Sequence, residues 1–170
     1  QDLKTGTLTL TVVPGRIRAI RFASDSSVRA SFWNAVPAQP GELLNLRDIE
    51  QALENFQRLP TVTADIQIVP ADGDDPRPGE SDLVIAWQQR ARARVNLSLD
   101  DSGSQSTGKL QGGPTLSFDN GLMWNDLFYV DFGHDVFNGG RKGTASRTAH
   151  YDVPFGYWLV GATASEYDYH

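Results

Sequence analysis

The feature that most constrains the fold is a run of five segments after residue 91 in which polar and apolar residues alternate. In the first, Arg92–Asp100, Val95, Leu97 and Leu99 alternate with polar side chains. Because successive side chains of a β-strand point to opposite faces, this alternation predicts antiparallel strands with one apolar and one polar face. The other predicted strands are Lys109–Asp119, Asp126–His134, Thr144–Val153 and Tyr157–His170.

The connections between these segments are alternately long and short. Residues 101–107 and 135–143 form the longer ones, and residues 120–125 and 154–156 the shorter ones. Alternating strands with long and short connections on opposite rims, and with aromatic residues near their ends, are typical of transmembrane β-barrels. Five strands do not close a barrel, because the smallest barrels have about eight. The pattern alone leaves two interpretations, a fragment of a larger pore and an ordinary soluble sheet.

Residues 1–90 combine the periods of strands and helices. The best-marked element is a helix that Asn45 can cap, with Asp48 at its third position, a hydrophobic staple between Leu44 and Ile49, and Pro60 beyond its end. The fold class predicted for this half is an α+β domain of order β-α-α-β-β. Its predicted elements are a strand at Thr7–Val12, a second extended stretch after Pro14 and Gly15 through Ile17, Ile20 and Phe22, a short helix through Val28, Phe32, Ala35 and Val36, a helix at Asn45–Arg58, and strands at Thr61–Val69 and Ser81–Gln88.

Composition divides the chain at the same place. Only five of the 17 aromatic residues lie in residues 1–90, although this is the longer half. The predicted domains are therefore residues 1–90 and 91–170, with the boundary near residues 90–92.

The composition also excludes several function classes. The chain has no cysteine and three dispersed histidines, so we expect no metal site, and its net charge of −6 argues against nucleic-acid binding. Asp100 and Asp101 are adjacent and would point to opposite strand faces, which does not suit a catalytic carboxylate pair. Residues 139–144 have the letters of a phosphate loop without its full spacing. We expect no catalytic residue, no enzyme activity and no cofactor.

Five short strings lie on the predicted strands of the second half and on their connections: Leu99–Gly108, Thr115–Asn120, Asp126–Val130, Gly139–Thr144 and His150–Trp158. Together and in this order they resemble the outer-membrane transporters of two-partner secretion, of the haemolysin-activator and contact-dependent-inhibition type. Each string alone is short, and the resemblance rests on their joint occurrence in the family's order.

Two pieces of the first half, Val12–Ile17 and Pro40–Leu44, also have family-like sequences. Through them the first half resembles the second polypeptide-transport-associated (POTRA) domain of the same family. The resemblance implies a periplasmic POTRA domain followed by the first strands of an incomplete transmembrane β-barrel in the bacterial outer membrane. It also implies a monomeric transporter in contact with outer-membrane lipid, whose partner is a secreted exoprotein with an N-terminal secretion domain.

Two sets of site residues follow from this resemblance. The strand Thr61–Val69 is expected at the sheet edge, where an extended client can add itself through backbone hydrogen bonds. The partner-binding residues predicted on it are Thr61, Thr63, Asp65 and Gln67. The opposite parity of the barrel strands is apolar, so the predicted pore-lining residues are Arg94, Asn96, Ser98, Asp100, Lys109, Gln111, Thr115 and Ser117.

Two alternatives stay open at this point. One is an outer-membrane protein insertase of the same superfamily, which would act on many clients. The other is a soluble, secreted, β-rich protein that binds carbohydrate, with Trp124 and Trp158 in its binding platform. The soluble alternative requires the apolar residues Val95, Leu97, Phe128 and Val160 to be buried in a core of their own.

Overall fold

The computed structural model describes residues 10–27, 30–71, 77–101, 110–136 and 143–169. In these residues the chain forms two separate β-sheets and one α-helix. No helix in the described ranges is long and apolar enough to cross a membrane. The elements are β1 (Arg16–Phe22), α1 (Leu46–Gln57), β2 (Val62–Pro70), β3 (Glu80–Gln89), β4 (Ala93–Asp100), β5 (Gln111–Asp119), β6 (Leu127–Asp135), β7 (Thr144–Phe155) and β8 (Trp158–Tyr169).

The first sheet has the order β1-β3-β2, with β3 parallel to β1 and antiparallel to β2. Leu83, Ile85 and Trp87 alternate along β3, and all three side chains are buried. They belong to the same buried core as Ile49 and Phe56 of α1. Complete burial of one such side chain stabilises the fold by about 1.5–3 kcal/mol. The predicted inward face of β3 is therefore confirmed.

Helix α1 has the predicted boundaries. Asn45 is its N-cap, and its side-chain oxygen accepts a hydrogen bond from the backbone N–H of Arg47 at 3.1 Å. The helix ends where Arg58 donates its backbone N–H to Glu54, two residues before Pro60. Local capping and the proline thus fix both ends of this element.

The prediction of the first of the two helices is wrong for the residues that the structure describes. Residues 30–37 contain a single helical turn, closed by the Val36 N–H and the Phe32 carbonyl at 2.9 Å, while Val28 lies outside the described residues. Pro37 disfavours further helix because the residue before a proline is pushed away from helical angles. The order in the described residues is therefore β-α-β-β, still an α+β fold.

The predicted first strand also differs. Residues 7–9 lie outside the described residues, and residues 10–15 contain no strand. Pro14 and Gly15 precede the true start of β1 at Arg16, and proline lacks the N–H that a sheet ladder needs. The second extended stretch, through Ile17, Ile20 and Phe22, is confirmed as β1.

The second sheet is an antiparallel meander of order β4-β5-β6-β7-β8. The five strands that the alternation predicts are confirmed, each with bounds shifted by a few residues at most. The short connection 90–92 separates β3 of the first sheet from β4 of the second, and the predicted domain boundary lies in it. In a strand register without slips, residues of like parity share one face, so each sheet face can be followed across all five strands.

Candidate functional site

Strand β2 is an edge strand of the first sheet, because β3 is its only strand neighbour in the described part of the chain. The hydrogen bonds at its two ends fix which backbone groups point outward. The Arg90 N–H donates to the Thr61 carbonyl at 3.1 Å, and the Ala71 N–H donates to the Glu80 carbonyl at 3.0 Å. In an antiparallel ladder, residues alternate between bonding the partner strand and pointing away from it. Odd-numbered residues of β2 therefore bond β3, and even-numbered residues point their amides outward.

The outward groups of β2 belong to Val62, Ala64, Ile66 and Ile68. Two of them are already occupied, since the Val62 N–H donates to the Leu59 carbonyl at 2.9 Å and the side chain of Gln57 in α1 donates to the Ala64 carbonyl at 2.8 Å. Pro70, at the next outward position, has no N–H to offer. The usable template for an added strand is therefore short and centred on Ile66 and Ile68.

The other edge of the same sheet is partly covered. Residues 41–44 run along β1, where the Ile17 N–H donates to the Glu42 carbonyl at 3.0 Å and the Gly41 N–H donates to the Ile17 carbonyl. Arg16 and Leu43 form an antiparallel bridge at the same place. The covered β1 edge leaves β2 as the more accessible edge for pairing with an extended peptide.

The four residues predicted to bind the partner do not share one environment. Thr63, Asp65 and Gln67 are exposed on the face of β2 away from α1. Thr61 is buried instead, and its hydroxyl donates to the Asp119 carboxylate at 2.8 Å. The structure therefore removes Thr61 from the accessible edge, because contact with the second sheet covers it.

The predicted pore-lining residues lie on one face of the second sheet, as their parity requires. Lys109 lies outside the described residues. The others stand opposite one another across β4 and β5, as the pairs Arg94–Ser117, Asn96–Thr115 and Asp100–Gln111, with Ser98 opposite Gly113.

The polar face continues over the remaining strands. The Thr115 hydroxyl donates to Asp131 on β6 at 2.6 Å, and Thr148 and Ser165 join their hydroxyls across β7 and β8 at 3.1 Å. Nδ1 of His150 lies 2.6 Å from the hydroxyl of Thr163. A continuous polar surface therefore covers one side of all five strands.

Ser117 and Arg94 occupy the end of this face nearest the first sheet. Ser117 is buried, and Arg94 makes two 3.0 Å hydrogen bonds to the Asp119 carboxylate. Their surroundings differ from those of Asn96 and Ser98, which are exposed. The open part of the polar face begins beyond them.

The opposite face of the second sheet is mostly apolar and exposed, and the exposed ion pair of Arg147 and Glu166 lies on it toward the Thr144 end of β7. Val95 is 65% exposed and Leu97 82%, although both are strand residues with apolar cross-strand neighbours such as Leu116. Phe128 and Val160 are exposed as well. These four residues therefore do not form the buried core that the soluble carbohydrate-binding alternative requires.

A buried polar junction joins the two sheets. The Arg58 guanidinium, at the end of α1, forms an ion pair with Asp152 of β7 and donates to the Asn125 carbonyl at 2.6 Å. Burial lowers the pKa of Arg58 from its ordinary value, and the nearby Asp126 and Asp119 oppose that shift. An arginine stays protonated in proteins, so the junction holds a buried cation among carboxylates.

No local pattern of the sequence predicts this junction, because its residues are scattered along the chain. Arg58 follows a helix, and Asn120 and Asn125 read as ordinary turn residues. The usable signal is the density of Asn and Asp at residues 119–126, where Asn120 and Asn125 have positive φ angles of 58° and 56°. Such residues favour turns, but nothing in the sequence indicates that both are buried.

Known protein families match both parts of the chain. The profile of the haemolysin secretion/activation protein family ShlB/FhaC/HecB matches residues 79–170, and that of the POTRA domain matches residues 16–70. The first match covers more than half of the chain. The resemblance found in the sequence is therefore confirmed at the level of the family.

Relatives and solved structures agree with this match. The outer membrane transporter CdiB-2 of Burkholderia pseudomallei (strain 1026b) is 42% identical over 159 residues, which are 93% of this chain and 26% of the relative. The structure of CdiB from Escherichia coli superposes with a TM-score of 0.83 at 35% identity, covering 99% of this chain and 31% of that one. The chain thus spans about a quarter to a third of these proteins.

A more distant structure shares the fold alone. BamA from Haemophilus ducreyi lacking POTRA domains 1–3 superposes with a TM-score of 0.58 at 17% identity, covering 91% of this chain and 28% of that one.

Proposed function

Because the chain belongs to the ShlB/FhaC/HecB family of haemolysin secretion/activation proteins, we propose that it is part of an outer-membrane transporter of two-partner secretion. In this proposal residues 1–90 are the membrane-proximal POTRA domain in the periplasm, and residues 91–170 are the first strands of the barrel. The observation that carries the proposal is the second sheet, which exposes a broad apolar face opposite a continuous polar face.

The two faces of this sheet support opposite roles. A strand crosses hydrocarbon only when its backbone groups are paired, and each inner strand of the meander is paired on both sides. The apolar face then contacts outer-membrane lipid, and the polar face lines the pore with Asn96, Ser98 and Thr115. A polar lining keeps an unfolded client hydrated as it passes.

The partner in this proposal is a secreted exoprotein with an N-terminal secretion domain. It binds as an extended segment along β2, pairing with the outward backbone groups of Ile66 and Ile68. Thr63, Asp65 and Gln67 project from the same strand and bias the choice of client through their side chains. The transporter acts as a monomer, without a cofactor and without any chemical step of its own.

The insertase alternative has less support. The relatives named as outer membrane transporters are up to 42% identical to this chain, whereas BamA shares the fold alone, at 17% identity. The carbohydrate-binding alternative also lacks support, because it requires a water-soluble second half and the apolar face of that half is exposed.

A proline at Ile68 tests the capture step. Ile68→Pro removes an outward amide of β2 and leaves the ladder to β3 intact, because odd-numbered residues make that ladder. We expect the variant transporter to bind the secretion domain of its exoprotein more weakly in surface plasmon resonance and to export less of it from cells.

Two matched controls separate the backbone from the side chains. Ile68→Val keeps the amide and shortens the side chain, so binding should stay near that of the unaltered protein. Gln67→Ala tests the neighbouring side chain alone. Equal binding by the Ile68→Pro and Ile68→Val variants would contradict capture at this edge.

A further inference from the structure

Aromatic residues from the two halves of the chain meet at the end of the second sheet that adjoins the first. The ring of Trp33, from the loop after β1, lies 6.1 Å from that of Trp124 and 5.7 Å from that of Phe155 at the end of β7. Leu122 and Met123 extend this cluster, and all five side chains are exposed, Trp33 by 60%. We call these five residues the rim patch. Four of them, all except Phe155, line a shallow groove of about 440 Å³ together with Phe32.

The rim patch continues the apolar face of the second sheet. Phe155 has the parity of Tyr151 and Val153 on β7, and it pairs with Trp158 on β8. Trp158 is exposed and has the same parity as Val160. A residue of the first half, Trp33, therefore stands in line with the face that the proposed function assigns to lipid.

Buried hydrogen bonds hold Trp33 at this position. Asn34 is buried, and its side-chain amide donates to the Trp124 carbonyl at 2.6 Å and to the Pro154 carbonyl at 3.0 Å. The Asn125 side chain donates to the Ser31 carbonyl at 2.7 Å. The neighbours of Trp33 are thus fixed on the second sheet while its own ring projects outward. The fold thus holds Trp33 in one position although its ring is exposed in this chain. This indicates that a surface outside the described residues covers the ring.

The turn that carries the other half of the patch satisfies its own backbone. The Asp126 carboxylate accepts hydrogen bonds from the N–H groups of Leu122 at 3.0 Å and Trp124 at 3.2 Å, and the Asn120 carbonyl accepts the Met123 N–H at 3.4 Å. All three exposed apolar residues of this turn therefore have bonded amides. Bonded amides suit a surface poor in water, where an unpaired amide is costly.

We propose that the rim patch inserts into the headgroup region of the phospholipid leaflet on the periplasmic side of the outer membrane. The loop of Trp33 thereby becomes part of the aromatic belt of the barrel, although it belongs to the POTRA domain. This inference rests on the proposed function, since it needs the apolar face of the second sheet to contact lipid. Tryptophan suits this location because its amphipathic indole favours the membrane–water interface.

The continuity of the patch with the apolar face favours lipid over a protein partner. A protein partner would have to cover the rim patch and stop where the bilayer begins. Lipid, in contrast, covers the rim patch and the apolar face of the second sheet together. Docking of Trp33 on the second sheet also explains why the loop forms one helical turn in place of the predicted helix.

Site-directed spin labelling in the complete transporter tests the inference. This chain has no cysteine, so Trp33→Cys provides a unique label in it once any cysteine elsewhere in the transporter is replaced by serine. The protein is reconstituted in nanodiscs of phosphatidylethanolamine and phosphatidylglycerol. Collision rates of the label with oxygen, which concentrates in lipid, and with a water-soluble nickel chelate are then measured. Trp124→Cys is labelled as a second site in the patch.

Two reference labels make the result decisive. Val95→Cys reports the apolar face, and Gln67→Cys reports the exposed edge of β2. We expect the labels at 33 and 124 to resemble the one at 95, with more frequent oxygen collisions and fewer nickel collisions than the label at 67. Heat-modifiable mobility in electrophoresis confirms that each variant holds a folded barrel.

The other outcomes overturn the inference in distinguishable ways. A label at 33 that resembles the label at 67 while position 95 stays lipid-like refutes the rim contact and leaves the proposed function intact. Low collision rates with both reagents at 33 indicate a covering protein surface and refute the lipid contact. A water-exposed label at 95 refutes the inference together with the assignment of the apolar face.

Discussion

Polar and apolar residues alternate along the strands of both sheets, but the apolar face is buried in the first sheet and exposed in the second. In the first sheet the apolar side chains of β3 are buried under α1, with Trp87 fully covered. In the second sheet the equivalent face of β4 is exposed along its length, from Val95 to Leu99. The first sheet has a helix to cover it, and the second has none in the residues that the structure describes.

This difference shows that an amphipathic strand specifies two faces but not what each face contacts. A helix with an apolar side satisfies the first sheet in water. The second sheet needs a nonaqueous environment or further protein, because apolar surface of this extent is unfavourable in water. The polar junction of Arg58, Asp119 and Asp152 joins the two kinds of sheet at their common border.

The largest expected effect is on the core of the first sheet. Trp87→Ala should destabilise that sheet by about 3–5 kcal/mol, because it removes a fully buried aromatic side chain and leaves a cavity. Hydrogen–deuterium exchange in the reconstituted transporter would show faster exchange of the α1 and β2 amides. The matched control is Trp158→Ala, the same replacement on the exposed second sheet, which should leave these amides unchanged. Equal effects of the two replacements would remove the contrast between the sheets.

A charge on the apolar face of β4 should have the next largest effect. Leu97→Arg should destabilise the folded barrel in lipid by up to about 2–4 kcal/mol, the cost of an arginine near the bilayer midplane. Urea titration of the transporter in lipid vesicles measures this change. Asn96→Arg, one residue away on the polar face, is the control and should cost much less. If Asn96→Arg proves the more damaging, the two faces have been assigned the wrong way round.

An acidic residue of the first sheet should give a pH-dependent effect. Two hydrogen bonds from Arg18, at 2.7 and 2.8 Å, lower the pKa of Asp82 from its ordinary value despite the opposing effect of burial. The unfolded chain therefore binds this proton more readily, and the stabilisation is present above the unfolded pKa and lost as the pH falls through the folded one. Asp82→Asn should cost about 1–3 kcal/mol at neutral pH.

This cost should shrink toward zero in acid. Amide exchange of β1 and β3 measured across acidic and neutral pH would follow it. Asp65→Asn, at an exposed position on β2, is the control and should have little effect at either pH. A cost for Asp82→Asn that is independent of pH would show that the carboxylate contributes by shape rather than by charge.

The smallest predicted effect concerns the border between the sheets. Thr61→Val keeps the shape of the side chain and removes the hydrogen bond to Asp119, at a cost of about 1 kcal/mol. Amide exchange in the turn at residues 119–126 should accelerate modestly. Thr63→Val makes the same change at an exposed site and should not alter that turn. No difference between the two variants would mean that Arg94 alone fixes Asp119.

Much of the fold follows from local features of the sequence. The cap at Asn45 and the proline at residue 60 determine α1, and alternation determines β3 through β8 within a few residues. Predictions from local features were wrong where tertiary contacts determine the backbone conformation. The apolar spacing through Phe32 and Val36 predicts a helix, but Asn34 and the backbone around it bond the second sheet instead.

For the candidate site, the sequence predicted which residues share a sheet face but not which of them are buried. Parity placed Asn96, Ser98 and Thr115 on one face correctly, since the period of a strand is fixed by covalent geometry. It also placed Thr61 beside Thr63 and Asp65. The burial of Thr61 depends on Asp119, which lies 58 residues away, and no local pattern reports such a contact.

The sequence by itself thus determined α1, the strands β2 to β8 and the polarity of each face, because these depend on neighbours a few residues apart. The tertiary structure decided which edge of the first sheet stays accessible, how Arg58 and Asp152 meet, and where Trp33 stands. These features depend on the pairing of segments distant in the chain, and the free energy of such pairing arises only when both segments are folded.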